Sequence, residues 1–341
     1  MTGIALLGAG RMGIVHATAI KSAGASIVAI YDPVEKAARD LSVQTGAKVY
    51  ANAAEAMAAS DVDAIIIATS SDTHSMLIVE GSKLGKPILC EKPLAPSLSE
   101  TYACIEAIGE RAAKKVFLGF NRRFDIGHAS MRDAVANGVI GNLEQLIITS
   151  RDPLPPPLSY IPRSGGLFKD MMIHDFDMTR YVLREEPTKI TAHGSSIVDR
   201  EIGKLGDIDT ASVTMETASG VIVNVTNSRR CAFGFDQRIE AFGSLGMVIS
   251  DNPKKSGFRK YLSGEVDSSA PILEFFLERY GDSYSEEIRQ FLECASRGDD
   301  MPVNAFDGLQ AATLAEAASV SLKTGQTVDL KEFARANAKA A

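Results

Sequence analysis

The chain has 341 residues, with 36 Lys plus Arg against 43 Asp plus Glu and a net charge of −7. This length predicts two domains, and the acidic balance argues against a nucleic-acid-binding protein, which needs a basic patch. The longest apolar run, Ala64 to Ala68, is far shorter than the roughly 20 residues of a membrane span. With no signal peptide expected at the N-terminus and four dispersed cysteines, the sequence favours a reducing cytoplasm.

Short apolar runs alternate with helical patterns over the first 120 residues. The predicted strands are Gly3–Gly8, Ser26–Asp32, Lys48–Tyr50, Asp63–Thr69, Pro87–Glu91 and Lys115–Phe120. The predicted helices between them are Arg11–Ala23, Val34–Thr45, Asn52–Ala59, Thr73–Leu84 and Leu98–Ala113. Nearly continuous Ile, Val, Leu and Ala are typical of strands buried on both faces of a parallel sheet. The fold class is therefore α/β, beginning with a doubly wound parallel sheet.

The pattern changes after about Phe120. Ala129–Ala136 and Leu167–Leu183 read as helices, Leu143–Ser150 reads as a strand, and Asp152–Pro162 is a Pro-rich loop. From Lys189 to Ser250, apolar runs separated by short turns predict consecutive antiparallel strands. Two more helices, about Tyr284–Ser296 and Ala305–Lys323, precede a tail, ARANAKAA, that we expect to be frayed. We therefore predict a first domain over residues 1–121 and an α+β domain with an open, mainly antiparallel sheet over 122–341.

The sequence GAGRMG, Gly8 to Gly13, is a GxGxxG motif between the first strand and the first helix. In this setting the first glycine permits a tight turn, the second admits a pyrophosphate and the third allows close packing, while the helix N-terminus attracts phosphates. Asp32 ends the second strand, where a carboxylate accepts hydrogen bonds from ribose hydroxyls and repels a 2′-phosphate. Because Pro33 rather than an arginine follows, the motif favours NAD over NADP. A glycine-rich turn without a ligand is the alternative.

Candidate site residues also follow the fourth and fifth strands, where open α/β sheets bind ligands. Thr69 and Ser70 could line a cofactor, although residues here also serve as helix caps. Glu91-Lys92-Pro93 ends the fifth strand, and its X-Pro bond can be cis. The Lys92 ammonium could hold a substrate hydroxyl and stabilise a developing alkoxide. The alternative is a surface lysine paired with Glu91.

Asp170 and His174 are four residues apart in the predicted helix Leu167–Leu183 and would share one of its faces. A carboxylate orients an imidazole and favours its protonated form. An imidazole that titrates near neutral pH can accept the hydroxyl proton when an alcohol is oxidised. Two other interpretations stay open: a structural histidine, or a metal pair whose third ligand the spacing does not identify. Asp177 is a second possible partner of His174.

Four segments together resemble the Gfo/Idh/MocA oxidoreductases over essentially the whole chain: GAGRMG, CEKPLA, GFNRRFD and GGLFKDMMIHDFDMTRYV. Within that family, SRDPLPPP and IHDFDM are most similar to the inositol 2-dehydrogenases. The resemblance implies an NAD-binding Rossmann domain and an α+β substrate-binding and oligomerisation domain, with subunits in a homotetramer, a dimer of dimers. It implies cofactor contacts from Gly8, Gly10, Arg11, Met12, Gly13, Asp32, Thr69, Ser70, Glu91, Lys92 and Asn121. It implies a catalytic set of Lys92, Asp170 and His174, with substrate contacts from these three and from Arg122, Asp152 and Phe233.

The expected reaction is NAD-dependent oxidation of a cyclic polyol, myo-inositol to 2-keto-myo-inositol, with His174 as general base and no metal. Inositol dehydrogenases usually carry a tyrosine where this chain has Phe233 and Phe235, and a small polar residue is frequent at Met172. The same chemistry on scyllo-inositol, chiro-inositol or an aldose is the nearest alternative. A non-catalytic NAD-binding sensor is an alternative of another class, which would be expected to lack Lys92, Asp170 or His174. The strands Thr210–Met215 and Val221–Val225 read as apolar on both faces, which also predicts an oligomer.

Overall fold

The computed structural model describes residues 2–340, which fold into two compact units. The first unit combines Met1–Phe124, Gly281–Thr313 and Ala334–Ala341. The second combines Asp125–Tyr280 and Leu314–Phe333. The predicted domain boundary after residue 121 lies close to Phe124, where the first segment of the first unit ends. The return of C-terminal helical residues to the first unit was not predicted, because chain order alone does not show which helix packs on which sheet.

The first unit is built on a parallel sheet. Its strands are β1 Gly3–Leu7, β2 Ser26–Tyr31, β3 Lys48–Val49, β4 Ala64–Ile67, β5 Ile88–Glu91 and β6 Val116–Gly119. The intervening helices are α1 Arg11–Ser22, α2 Glu35–Thr45, α3 Ala53–Ala58, α4 His74–Ser82 and α5 Leu98–Ala113. The strand order β3-β2-β1-β4-β5-β6 confirms the predicted doubly wound sheet. Every residue of β1, β4, β5 and β6 is buried, as strands covered on both faces require.

The order reverses between β1 and β4, where doubly wound sheets bind dinucleotides outside the carboxyl ends of the strands. The residues that follow β1, β2, β4 and β5 therefore stand at the edge of the sheet that the sequence analysis singled out. GAGRMG, Asp32, Thr69 and Lys92 occupy these four places.

The remaining strands are β7 Leu143–Arg151, β8 Pro187–Ser195, β9 Thr210–Thr217, β10 Ile222–Ser228, β11 Asp236–Gly243, β12 Gly246–Ser250, β13 Arg259–Leu262, β14 Glu265–Ser269 and β15 Val328–Asp329. The remaining helices are α6 Ile126–Ala136, α7 Ile161–Ser164, α8 Leu167–Asp170, α9 Ile173–Leu183, α10 Arg200–Lys204, α11 Phe276–Arg279, α12 Gly281–Arg297, α13 Ala305–Thr324 and α14 Leu330–Ala340. The large sheet has the order β12-β11-β7-β10-β9-β8-β15. Of the pairs described between the strands of this large sheet, only β7–β10 is parallel, so the predicted mainly antiparallel sheet is confirmed.

One face of the large sheet forms the apolar core of the second unit. Phe176 and Met178 of α9 pack there with Val213 and Val223, and all four are fully buried. The strand β9 alternates strictly, with Ala211, Val213 and Met215 buried and Ser212, Thr214 and Glu216 exposed. The expectation that this strand is apolar on both faces is therefore wrong, because Ser212, Thr214 and Glu216 lie on the open face.

The predicted helix Leu167–Leu183 is interrupted, and this corrects the sequence analysis. The Met172 N–H donates to the Leu167 carbonyl at 3.0 Å, across a wider turn than an α-helical one, so Asp170 ends α8 and His174 lies in α9. The one-face argument for Asp170 and His174 therefore does not hold. Met171 and Met172 are both buried, so the apolar periodicity runs through the break and hides it.

The C-terminal tail is helical, and the expectation that it is frayed is wrong. Its residues up to Ala340 continue α14, whose start is capped where the Asp329 carboxylate accepts the Glu332 N–H at 2.9 Å. Leu330 is buried and anchors the same end of the helix. Among the helices of residues 2–340, none combines the length and apolar character needed to cross a membrane.

Candidate active site

Two positions of the glycine loop in the first unit, Gly8 and Gly13, accept only glycine. Gly8 has φ +102°, and a Cβ there would meet the Ala68 carbonyl oxygen at 2.4 Å. A Cβ on Gly13 would lie 2.0 Å from the Gly8 oxygen. By contrast, a Cβ on Gly10 would meet no described atom within 4 Å, so a ligand has room beside this backbone.

The helix α1 begins directly after Gly10, and Arg11 and Met12 form its partly exposed first turn with Gly13. That turn contains no acidic residue, and no side-chain cap is described for it within residues 2–340. Its N–H groups and the positive end of the helix dipole thus remain suited to an anion such as a pyrophosphate.

Asp32 is tied to this loop through the backbone. Its Oδ2 accepts the Ala9 N–H at 2.6 Å, and its Oδ1 accepts the Val34 N–H at 2.7 Å. A carboxylate has about four lone-pair positions, so two remain for ribose hydroxyls. The room at Gly10, the uncapped helix start and this fixed carboxylate together fit a dinucleotide.

The end of β5 is held by two buried histidines. Glu91 is 8% exposed and its Oε1 lies 2.7 Å from Nε2 of His16, so this carboxylate faces the interior. His74 is 1% exposed, with its ring nitrogens 2.7 Å from the Pro93 oxygen and 3.2 Å from the Thr69 oxygen. Burial is the largest influence on the pKa of His74 and lowers it, and a neutral ring donates a hydrogen bond to only one of these two carbonyl oxygens. Lys92 lies between these anchors, partly exposed, and its bond to Pro93 is cis.

Four further predicted residues, Thr69, Ser70, Asn121 and Arg122, lie at the same edge of the sheet. The Thr69 hydroxyl lies 2.7 Å from that of Thr73, whereas Ser70 is exposed. Asn121 follows β6 and is 3% exposed, and its Nδ2 has no hydrogen-bond partner among the described residues. An unpaired buried amide donor suits a ligand acceptor such as a carboxamide oxygen. Arg122, beside it, is 7% exposed.

In the second unit, Asp170 is held by two side chains that the sequence analysis did not identify. Its Oδ1 accepts the Tyr160 hydroxyl at 2.9 Å, and its Oδ2 faces Nη1 of Arg229 at 3.4 Å. Tyr160 lies in a loop and Arg229 directly follows β10, so neither has a local sequence pattern that points to Asp170. The carboxylate itself stays 18% exposed, which leaves it accessible to a ligand.

His174 is partly exposed, and the next residue anchors it. Asp175 is fully buried, and its carboxylate accepts the Ser150 hydroxyl at 2.5 Å and the Asn227 amide at 2.8 Å. Because Ser150 and Asn227 face each other on β7 and β10, the start of α9 is fixed to the centre of the large sheet. The imidazole therefore projects from a rigid turn.

The remaining predicted substrate residues differ in exposure. Asp152 is partly exposed, and its N–H donates to the Ser228 carbonyl at 2.9 Å. Phe233 is 58% exposed, whereas Phe235 is 5% exposed and packs edge-on against Tyr280 at 6.0 Å. Of the two phenylalanines, only Phe233 presents its ring to solvent in the described chain.

Comparisons with known proteins identify the family to which a chain with these site residues belongs. Residues 2–120 match the family model of an oxidoreductase family with an NAD-binding Rossmann fold, and residues 128–249 match the GFO/IDH/MocA C-terminal domain. The chain belongs to the Gfo/Idh/MocA oxidoreductase family.

Relatives within the Gfo/Idh/MocA family match the chain along nearly its whole length. It is 43% identical over 332 residues to the myo-inositol 2-dehydrogenase of Thermotoga maritima, covering 96% of this chain and 98% of that one. It is 41% identical over 327 residues to the inositol 2-dehydrogenase of Rhizobium meliloti, with coverage of 95% and 98%. The crystal structure of a myo-inositol dehydrogenase from Corynebacterium glutamicum has a TM-score of 0.92 and 43% identity, covering 96% of this chain and 98% of that one.

The predicted site residues of this Gfo/Idh/MocA oxidoreductase fall into two sets. Those from Gly8 to Arg122 lie in the first unit, and those from Asp152 to Phe233 lie in the second. The first set fits NAD on the observations at Gly10, Asp32 and Asn121. The second set adds a carboxylate with two fixed partners and an anchored imidazole.

Proposed function

We propose that the chain oxidises myo-inositol to 2-keto-myo-inositol with NAD. The observation that carries this proposal is 43% identity along 96% of the chain to a myo-inositol 2-dehydrogenase, in a chain that has Lys92, Asp170 and His174. Two structural features support it: a loop that fits a dinucleotide, and an accessible Asp170 carboxylate with fixed partners.

We propose that the first unit binds NAD through the residues that follow its strands. The backbone from Gly8 to Gly13, with the start of α1, would bind the pyrophosphate, and Asp32 would accept the ribose hydroxyls. Thr69, Ser70, Glu91, Lys92 and Asn121 complete the proposed cofactor set. Within this set, Glu91 faces the interior and acts through its contact with His16. Asn121 offers the cofactor its Nδ2, which has no hydrogen-bond partner among the described residues. Bound NAD supplies the acceptor for the hydride that leaves the substrate carbon.

The chain's own groups handle the proton. In this proposal His174 takes the hydroxyl proton as the carbon–oxygen double bond forms, and the Lys92 ammonium donates a hydrogen bond to the same oxygen. Asp170 accepts a hydrogen bond from the substrate and orients it. Arg122, Asp152 and Phe233 complete the proposed substrate contacts. The hydride and the proton account for both hydrogens lost by the alcohol.

The test is absorbance at 340 nm with NAD or NADP at about pH 9, across inositol isomers and aldoses. Strong reduction of NAD with myo-inositol is the expected result. Reaction only with scyllo-inositol, chiro-inositol or an aldose would change the proposed substrate and leave the proposed chemistry unchanged. The exposed ring of Phe233, in the stretch where the family resemblance implies a tyrosine, makes this comparison necessary. Calorimetric NAD binding without reduction of NAD by any substrate would instead favour the non-catalytic sensor.

We also propose that the protein is a cytoplasmic homotetramer. The open face of the large sheet carries Ile147, Phe242, Met247 and Ile249, which are 36%, 43%, 49% and 53% exposed. They lie on the adjacent strands β7, β11 and β12, around the partly buried Glu240, and they give this face an exposed apolar area suited to a second subunit. All four cysteines are free, which suits a reducing compartment. Equilibrium sedimentation should give four times 36.4 kDa, and particles of 36.4 kDa alone would contradict the assembly.

A further inference from the structure

We propose that Arg229 is a positioning residue for Asp170, which it holds from the interior while Tyr160 holds the same carboxylate from the solvent side. The proposal rests on the role of Asp170 in the proposed function. Arg229 and Tyr160 belong neither to the glycine loop nor to the set formed by Lys92, Asp170 and His174.

The guanidinium of Arg229 is 1% exposed and lies between two carboxylates. Nη1 is 3.4 Å from Oδ2 of Asp170, and Nη2 is 3.4 Å from Oδ2 of Asp207. A buried cation is stable only when opposite charges and hydrogen bonds compensate its lost hydration. Arg229 therefore needs both carboxylates as partners, and its guanidinium in turn fixes the position of each carboxylate.

Asp207 connects this cation to the beginning of the same short helix. Its Oδ1 accepts the N–H of Leu167, the first residue of α8, at 2.9 Å. Asp170 is the last residue of α8, so the Asp207–Arg229–Asp170 chain spans the helix from its first residue to its last. A four-residue helix has little stability of its own, and this bridge supplies an external frame for it.

The frame extends into a rigid loop. The Arg229 N–H donates to the Asp209 carbonyl at 2.8 Å, and the Asp209 carboxylate accepts the N–H groups of residues 197, 198 and 199 at 3.1, 3.0 and 2.8 Å. Asp209 is itself fully buried. Arg229 is thus fixed at its backbone as well as at its side chain, and it can transmit that position to Asp170.

Tyr160 completes the arrangement from outside. It is 38% exposed, and its hydroxyl donates to Oδ1 of Asp170 at 2.9 Å while Arg229 faces Oδ2. Different donors on the two oxygens restrict rotation of the carboxylate. Asp170 therefore meets the substrate already oriented.

The experiment compares Arg229→Ala with Arg230→Ala, an exposed neighbour of the same type. In Arg229→Ala, we expect kcat for myo-inositol to fall about 100-fold, because a misplaced group costs that much. The calorimetric Kd for NAD should stay unchanged, and millimolar guanidinium, but not sodium, should restore part of the rate. Arg230→Ala should match the wild type. Folded Arg229→Ala with wild-type kcat, or a rate loss that guanidinium leaves unchanged, would overturn the proposal.

Two variants keep the proposal testable if Arg229→Ala does not fold. Tyr160→Phe removes only the phenol hydroxyl and should lower kcat about tenfold, as the loss of one hydrogen bond to a charged group predicts. Asp207→Asn keeps the size of the side chain and should also lower kcat more than it changes KM. Unchanged kcat in both variants would overturn the proposal.

A readout without substrate separates this proposal from the proposed function. In a cycle of Arg229→Lys and Asp170→Asn, thermal unfolding should show less than additive destabilisation, because the two side chains share one interaction. Additive effects would overturn the positioning role even in an active enzyme. Wild-type protein that reduces no NAD with any polyol, but shows this coupling, would contradict the proposed function and leave the Arg229–Asp170 link supported.

Discussion

Asp32 and Ala9 are joined by a hydrogen bond of 2.6 Å from the Ala9 N–H to the Asp32 carboxylate. This bond connects the glycine loop after β1 to the acid after β2, 23 residues apart in the chain. The carboxylate thus has two functions in this structure: it fixes the loop, and it presents negative charge where a ribose would lie. The two functions can be separated by mutation.

Asp32→Asn should relax the preference for NAD while leaving the loop in place. The amide oxygen can still accept the Ala9 N–H, whereas the amide NH2 no longer accepts the Val34 N–H, and the charge that repels a 2′-phosphate is gone. We expect KM for NAD to rise about tenfold and the ratio of kcat/KM for NAD over NADP to fall by at least that factor, since the loss of one charged hydrogen bond corresponds to roughly 1.5–3 kcal/mol. Asp32→Ala, which also releases Ala9, should raise KM further. The same NAD to NADP ratio in wild type and both variants would refute the assignment.

His174→Ala should abolish most turnover without weakening NAD binding. General-base catalysis contributes about 10²- to 10⁴-fold, so kcat should fall within that range. Calorimetry should give the wild-type Kd for NAD, because the proposed cofactor residues belong to the first unit. His193→Ala is the matched control, since His193 is an exposed histidine on β8 of the same unit as His174. Full activity in His174→Ala would remove this residue from the proposed mechanism.

The sequence was most informative where structure depends on neighbours along the chain. Continuous runs such as Ile65 to Ile67 predicted buried parallel strands, and GAGRMG predicted a turn that only glycine can form. The break between α8 and α9 was hidden, because Met171 and Met172 continue the apolar pattern through it.

The partners of Asp170 could not be predicted, for a related reason. Arg229 is 59 residues away in the chain, and their contact depends on how β10 and α8 pack. No local spacing records such a tertiary contact. The sequence therefore identifies Asp170 and His174 as candidates, but the prediction that they share one face rested on a continuous helix that the structure does not contain.

Asp175→Ala should destabilise the second unit and disturb His174. It leaves the buried Asn227 amide without this acceptor and removes one of the two acceptors of the Ser150 hydroxyl, the other being Gln237 Oε1 at 3.0 Å, so it costs about 1–3 kcal/mol of unfolding free energy. Urea unfolding should show this loss, whereas Asp133→Ala, at an exposed aspartate on α6, should stay within about 0.5 kcal/mol of wild type. Ser150→Ala combined with Asp175→Ala should cost less than the sum of the single changes. Additive losses would show that the buried carboxylate does not act through Ser150.

Glu287→Gln should make the protein more stable at alkaline pH and leave it unchanged near pH 5. Glu287 of α12 is fully buried, and neither carboxylate oxygen has a hydrogen-bond partner among the described residues. Burial, and then the negative charge of Glu91, raise the pKa of Glu287 well above its ordinary 4.5.

The sign of this pH dependence follows from where the proton is held. The folded chain keeps the proton on Glu287, whereas the unfolded chain releases it above pH 4.5, so the unfolding free energy falls as pH rises until the folded pKa is passed. Glutamine is neutral at every pH and removes this loss of unfolding free energy. The loss amounts to roughly 1.4 kcal/mol for each unit by which the folded protein raises the pKa of Glu287. Thermal unfolding followed by circular dichroism from pH 5 to pH 9 should therefore show the two curves diverging. Glu106→Gln, at an exposed glutamate of the same unit, should run parallel to the wild type. A parallel curve for Glu287→Gln would mean that Glu287 is ionised inside the folded protein.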